Sequence, residues 1–156
     1  MKVIKLEYKV YSFDELDDNA KQKAVDNLYD INIHDDWFEA VYEDAKTVGV
    51  DIQEFDIARG SCCTIRMDYE DTVIQAILKN HGELCDTYKV AAEYKDKILD
   101  SDGNINAEIA KDFKRDLQET YLSMLRREYE YLTGEDAIIE TIQANDYEFT
   151  ENGKIH

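Results

Sequence analysis

Four side chains form the one group of soft metal ligands in this chain: Cys62, Cys63, His81 and Cys85. Zinc takes three or four such donors at about 2.0–2.3 Å, and its structural sites are usually anchored by a Cys-x-x-Cys pair, which is missing here. His81 and Cys85 bracket a helix break, and the two adjacent cysteines fall on a candidate hairpin that could approach them. Together with Arg59 they are the residues to test if the chain binds a metal or ligand or is an enzyme. The plainer expectation is buried thiols and a capping histidine. Three cysteines is an odd number, and neighbours such as Cys62 and Cys63 rarely bridge each other, so reduced thiols are expected.

A second constellation is Asp100-Ser101-Asp102-Gly103-Asn104. It resembles the centre of a calcium loop of the EF-hand kind. With Gly103 aligned on the loop glycine, however, Ile98 takes the first ligand position and Ile109 the bidentate one, so both strong ligands are absent. A polar turn between helices accounts for the same residues. No phosphate-binding glycine loop, nucleophile elbow or His-Glu-x-x-His pattern occurs, and no cofactor is expected. Acid pairs such as Asp17–Asp18 and Asp35–Asp36 arise by chance among 36 acids and do not signal acid–base catalysis.

Charge is the unusual property. The chain has 156 residues, with 36 Asp and Glu against 18 Lys and Arg, for a formal net charge of −18. Residues 1–82 and 83–156 each hold 18 acids and nine bases, so the excess is spread over the whole chain. Such a surface repels nucleic acid and anionic membranes and attracts basic protein surfaces. Solubility alone accounts for it equally well. Arg126–Arg127 is the one adjacent basic pair, and Glu128 and Glu130 beside it point to ion pairing along a helix. Hydrophobic residues make up 44%, enough for a core in a chain of this length. No secretion signal and no apolar run near 18 residues is read, so a soluble, cytoplasmic protein is expected.

These residues must be positioned by an ordered set of elements. The longest is the run Asn106–Leu132, free of glycine and proline, in which Ile109, Phe113, Leu117, Tyr121, Leu125 and Leu132 recur at helical spacing. At about 1.5 Å per residue it makes a rod of roughly 40 Å. Residues 2–11 alternate, with Ile4, Leu6, Tyr8 and Val10 on one face, and predict a half-buried strand. Ser12 and Glu15 have capping-box spacing, with Tyr11 and Leu16 as a staple, ahead of a helix to about Tyr29. A second helix is predicted from Asp35 or Asp36 to Val48, ending at Gly49. Val50–Ile57 and Cys62–Tyr69 form a strand pair with a bulge between Ile52 and Phe55. Asp71 would cap a helix to His81. Leu84–Leu99 gives another, with Leu84 facing in, and folds back on the long helix as a hairpin. Glu135–Ala144 is a last short helix. In the tail, Asn152-Gly153 signals a hairpin turn that adds an edge strand or frays.

The expected architecture is α+β, with a small antiparallel sheet of about three to four strands packed with helices and a long helical hairpin in the second half. It spans residues 1–156 as a single domain. A β-α-α-β-β-α part covers 2–82, the hairpin and short helix cover 83–144, and the tail covers 145–156.

Tyr11-Ser12-Phe13-Asp14-Glu15-Leu16, followed by Ala20-Lys21 and Ala24, resembles the opening of a family of small uncharacterised proteins from bacteriophages and mobile elements. So do Asp36-Trp37-Phe38, Phe55 to Ser61, His81-Gly82-Glu83 and Glu128 to Leu132. The resemblance runs along most of the chain and implies a phage context in a bacterial host.

Two functions follow as expectations. One is a non-enzymatic accessory protein that inhibits a host nucleic-acid-binding defence enzyme. Carboxylates at Asp14, Glu15, Asp17, Asp18, Asp35, Asp36, Glu39, Glu43 and Asp44 would stand in for backbone phosphates and meet a basic protein surface. The other is a regulatory or scaffolding protein that dimerises through the long helix, with Tyr121, Tyr129 and Tyr131 as contact residues. The metal- or ligand-binding reading on Cys62, His81 and Cys85 stands third.

Overall fold

The computed structural model describes residues 1–156. Six helices and four short strands follow in the order β1 (Tyr11–Ser12), α1 (Asp18–Asn27), α2 (Glu39–Thr47), β2 (Asp51–Asp56), β3 (Cys62–Arg66), α3 (Glu70–Asn80), α4 (Asp86–Tyr94), α5 (Ala107–Leu132), α6 (Glu135–Ala144) and β4 (Glu148–Phe149). The class is α+β. The strands divide into two two-stranded antiparallel sheets, β1–β4 and β2–β3. The chain forms two compact units, residues 1–37 with 129–156, and residues 38–128.

In the first unit the predicted strand over residues 2–11 shrinks to Tyr11–Ser12. β4 offers only Glu148 and Phe149 as partners, so the alternating side chains before Tyr11 remain exposed. The Ser12 N–H does donate to the Glu15 carboxylate at 2.7 Å, but it caps only a 3-10 turn over Phe13–Glu15. Leu16 is extended (φ −74°, ψ 148°), and α1 starts afresh with Asp17, whose Oδ1 accepts the Ala20 N–H at 2.7 Å. Phe13, Leu16, Ala20, Ala24, Val25, Ile138, Ile142 and Phe149 are buried together. Each large member contributes on the order of 2 kcal/mol by leaving water. Asn32 ties this unit's loops: its Nδ2 donates to the Leu132 carbonyl at 3.0 Å and its Oδ1 accepts the Thr141 hydroxyl at 2.6 Å.

The tail does add the expected edge strand. Tyr11 pairs with Phe149, and the chain turns at Asn152-Gly153 to bring Ile155 back against Phe149. Gly153 has φ +84°, the left-handed conformation that glycine favours, but Asn152 does not share it, so the turn is not the type I′ form that Asn-Gly signals.

In the second unit β2 and β3 pair as expected, and their register slips between Ile52 and Glu54, where the break in alternation predicted a bulge. β3 stops at Arg66, short of Tyr69, which is the N-cap of α3 in place of the expected Asp71. α2 begins at Glu39, because residues 35–38 form turns. α4 and α5 make the helical hairpin. Asp86 meets Arg127 at 2.9 Å, Tyr94 bonds to Asp116, and the Asn106 N–H donates to the Ile98 carbonyl at 2.8 Å. The sequence separation falls from 41 to 22 and then to the closing turn, as antiparallel helices require. The turn is held by Asp100, whose Oδ1 accepts the N–H of Asp102 (2.9 Å) and of Asn104 (3.0 Å). Those loop carboxylates thus serve the connection between helices.

Candidate functional site

Several chemically capable residues converge at the junction of α3 and α4 in the second unit. A cavity of about 280 Å³ is lined there by Asp44, His81, Cys85, Asp86, Thr87 and Arg127, among others. His81 ends α3 and Thr87 lies in the first turn of α4, so a six-residue turn brings them together. The His81 side chain is only 8% exposed. Its Nδ1 lies 2.6 Å from the Thr87 hydroxyl, and its Nε2 lies 3.6 Å from Asp44 Oδ2 without a hydrogen-bond partner. With the Thr87 hydroxyl donating to Nδ1, the ring hydrogen sits on Nε2 and faces the Asp44 carboxylate from beyond hydrogen-bond distance.

Carboxylate, imidazole and hydroxyl are the groups of a proton relay, but the Asp44 carboxylate lies 3.6 Å from Nε2, outside hydrogen-bond distance. Here the hydroxyl is not presented to a substrate, because Thr87 is 2% exposed. The His81–Thr87 hydrogen bond instead fastens the end of α3 to the start of α4. Asp86 and Arg127 close one side of the cavity by their ion pair at 2.9 Å. Leu84, expected to face inward, is 90% exposed: α4 starts only at Asp86, which leaves Leu84 in the turn before it.

The four soft ligands do not converge. His81 and Cys85 line the cavity, while Cys62 and Cys63 point to opposite sides of β3, one exposed and one buried. No group of three or more His, Cys, Asp or Glu side chains is arranged to hold a metal ion. Burial pushes the Cys63 thiol up to about 11, with the neighbouring Cys62 adding to the shift. Arg59 is exposed in the turn between β2 and β3.

All nine acids expected to meet a partner are exposed. Asp14, Glu15, Asp17, Asp18, Asp35 and Asp36 belong to the first unit, and Glu39, Glu43 and Asp44 to the second. Four of them serve the fold: Glu15 and Asp17 accept backbone N–H groups, Asp14 accepts from Gln143 at 3.0 Å, and Asp44 faces His81. Asp18, Asp35, Asp36, Glu39 and Glu43 hold no hydrogen bond or ion pair. In the whole chain, only Asp44, Asp86, Asp112 and Asp116 lie within 4.0 Å of a basic side chain, counting His81 as basic.

The three tyrosines separate. Tyr121 is wholly buried on the inward stripe of α5, which corrects its assignment to a contact surface. Its hydroxyl has no hydrogen-bond partner, and burial raises its pKa strongly. Tyr129 is half-buried, packs edge-on to Trp37 at 5.5 Å and lies beside Tyr29, which with burial raises its pKa. Tyr131 is 63% exposed. Two positions separate it from Tyr129, about 200° around the helix, so both cannot face one side.

Sequence reasoning named His81 and Cys85 but missed Thr87 and Arg127. Nothing in the local pattern marks them, since their partners lie six and 41 positions away. Fold and site together define an α+β chain with a polar junction at the α3–α4 turn and many exposed carboxylates that no basic side chain neutralises. No family model, no curated protein and no solved structure matches the chain. No helix is long and apolar enough to cross a membrane.

Proposed function

We propose that this chain is a non-enzymatic binding protein that engages a basic protein surface through its exposed carboxylates, in the manner of a nucleic-acid mimic. A nucleic-acid-binding defence enzyme of a bacterial host is the partner class that fits, and a phage accessory protein is the setting suggested by the sequence resemblance. The observation that carries this reading is the state of Asp18, Asp35, Asp36, Glu39 and Glu43. All five are exposed, and no basic side chain lies within 4.0 Å of their carboxylates. In the first unit a basic surface would meet Asp18, Asp35 and Asp36, and in the second Glu39 and Glu43, in each case without first displacing an internal partner.

The test is capture of a nucleic-acid-binding protein from bacterial lysate at low salt, repeated at high salt and with those five acids reversed to lysine. Because the Debye length is about 8 Å at physiological ionic strength, contacts of this kind weaken steeply as salt rises. Release by salt together with loss of capture in the reversed variant supports the reading. Capture indifferent to both overturns it. The reversed set leaves the caps at Glu15 and Asp17 intact but places lysines in the first turns of α1 and α2, so an unchanged unfolding midpoint of the variant is the control for the fold.

Self-association through α5 is the second reading. Tyr131, on the exposed side of that helix, is the observation that favours it. Loss of a dimer on Tyr131→Ala is its test.

A further inference from the structure

The segment before β1 is the longest run of exposed apolar side chains in the protein. Val3, Ile4, Leu6 and Tyr8 are 69–75% exposed, and Val10 is 37% exposed. Residues 1–10 pair with no strand, and Tyr8 rests against His156 at 5.7 Å. The segment runs directly into β1, so its backbone is the unpaired continuation of a strand already in a sheet. Alternating apolar residues on a free strand are a template for another strand. This segment also differs in charge from the rest of the chain. Lys2, Lys5 and Lys9 stand against Glu7, making it positive by two, while the remaining residues carry −20.

From this pattern we infer that the segment is a self-pairing strand: two copies of the chain join through residues 2–10, antiparallel, about a two-fold axis at Leu6. In an antiparallel pair related by such an axis, facing residue numbers add to a constant. With the axis at Leu6, Leu6 faces Leu6 and Ile4 faces Tyr8, on one side of the ribbon. On the other side Lys5 faces Glu7, and by symmetry Glu7 faces Lys5. Moving the axis to Lys5 sets Lys5 against itself, and moving it to Glu7 sets Glu7 against itself and Lys5 against Lys9. An axis between residues sets apolar side chains against charged ones. An axis at Tyr8 also sets Leu6 against Val10 and Glu7 against Lys9, but it draws Tyr11 and Ser12 of β1 into the pairing; the axis at Leu6 keeps the pairing within residues 2–10, with Val3 facing Lys9 and Lys2 facing Val10 only at its ends. The occupant is therefore a second copy, whose strand carries the complementary pattern by construction. The contact does not involve the five free acids or α5, so it is independent of both readings above.

The chain of 156 residues tests this by sedimentation from about 1 μM to about 500 μM, the range over which an interface smaller than the standard size dissociates. The expected result is a concentration-dependent dimer that Leu6→Lys reduces to monomer. Lys5→Glu and Glu7→Lys should each weaken it about tenfold, since each turns two attractive pairs repulsive. The double exchange Lys5→Glu/Glu7→Lys should restore it to within about twofold, because the same pairs re-form with the signs swapped. All these positions are exposed and outside the core, so the variants fold. A chain monomeric throughout overturns the proposal, as does a dimer that survives Leu6→Lys or a double exchange that does not recover. A dimer lost on Tyr131→Ala but kept in Leu6→Lys would move the contact to α5 and equally overturn it.

Discussion

A Cβ placed on Gly153 would fall 2.2 Å from the carbonyl oxygen of Ala20 and 2.9 Å from its carbonyl carbon. The tail hairpin thus crosses α1 with its backbone almost touching the helix. Two small residues make that crossing possible: Ala20 on the stripe of α1, and Gly153 at the turn. Phe149, four residues before, can then sit wholly buried against Phe13, with ring centres 6.3 Å apart.

Gly153→Ala should therefore be among the most destabilising single-methyl additions in the chain. The side chain meets main-chain atoms that cannot rotate away, at a φ of +84° that alone costs about 1–2 kcal/mol. A total loss of about 3 kcal/mol or more is expected in urea unfolding. Gly103 is the control. Its φ is +80° but nothing lies within 4 Å, so Gly103→Ala should cost only the conformational part, about 1–2 kcal/mol. Equal losses at the two sites would contradict the close crossing.

Thr87→Val keeps the shape of the side chain but removes the hydroxyl that satisfies His81 Nδ1 at 2.6 Å. With Nε2 already lacking a partner, both ring nitrogens of a buried imidazole would be unpaired. A loss of about 1–3 kcal/mol is expected, read from the unfolding midpoint. No loss would mean that the junction of α3 and α4 does not depend on this bond.

Cys63 should resist alkylation at pH 8 while Cys62 and Cys85 react. Its thiol is buried and its pKa is pushed up to about 11, so both access and thiolate are lacking, whereas the other two are exposed. Counting modified thiols by mass spectrometry should give two in the native protein and three after denaturation. Fast native labelling of Cys63 would show that β3 opens readily.

Tyr94 sets a stability change at high pH. Its pKa rises from 10.0 to about 12, first by burial and then by its hydrogen bond to Asp116. The folded state therefore keeps a proton that the unfolded state loses. This contribution is fully present below pH 10, and it disappears as pH rises through the window from about 10 to about 12. Unfolding midpoints measured across that window should fall more steeply for the native protein than for Tyr94→Phe. Parallel curves would remove Tyr94 as the cause.

Much of this architecture was legible because its signals are local. Glycine-free periodicity from Asn106 marked α5, and a turn of Asp, Ser, Gly and Asn marked its hairpin with α4. A slipped alternation near Ile52 marked the bulge, and Asn152-Gly153 marked the turn in the tail. Each depends on neighbours within a few residues, where backbone sterics and side-chain spacing decide. Charge was legible too, since composition alone establishes an acidic surface.

What the sequence left open depends on partners distant in the chain. Alternation in residues 2–11 predicts a strand, but β4 offers Tyr11 and Ser12 alone a partner, and a strand without a ladder stays exposed. Capping-box spacing at Ser12 and Glu15 occurs, yet an extended Leu16 lets it cap only a 3-10 turn. Helical spacing placed Tyr121 and Tyr129 on one rod without saying which side would be covered; packing buried the first completely and leaned the second on Trp37. His81 was visible as a chemically capable residue, but its meeting with Thr87 and Asp44 was not. Local sterics and periodicity are written in consecutive residues, whereas burial and side-chain partnership are properties of the folded contact map, and only the tertiary structure supplies it.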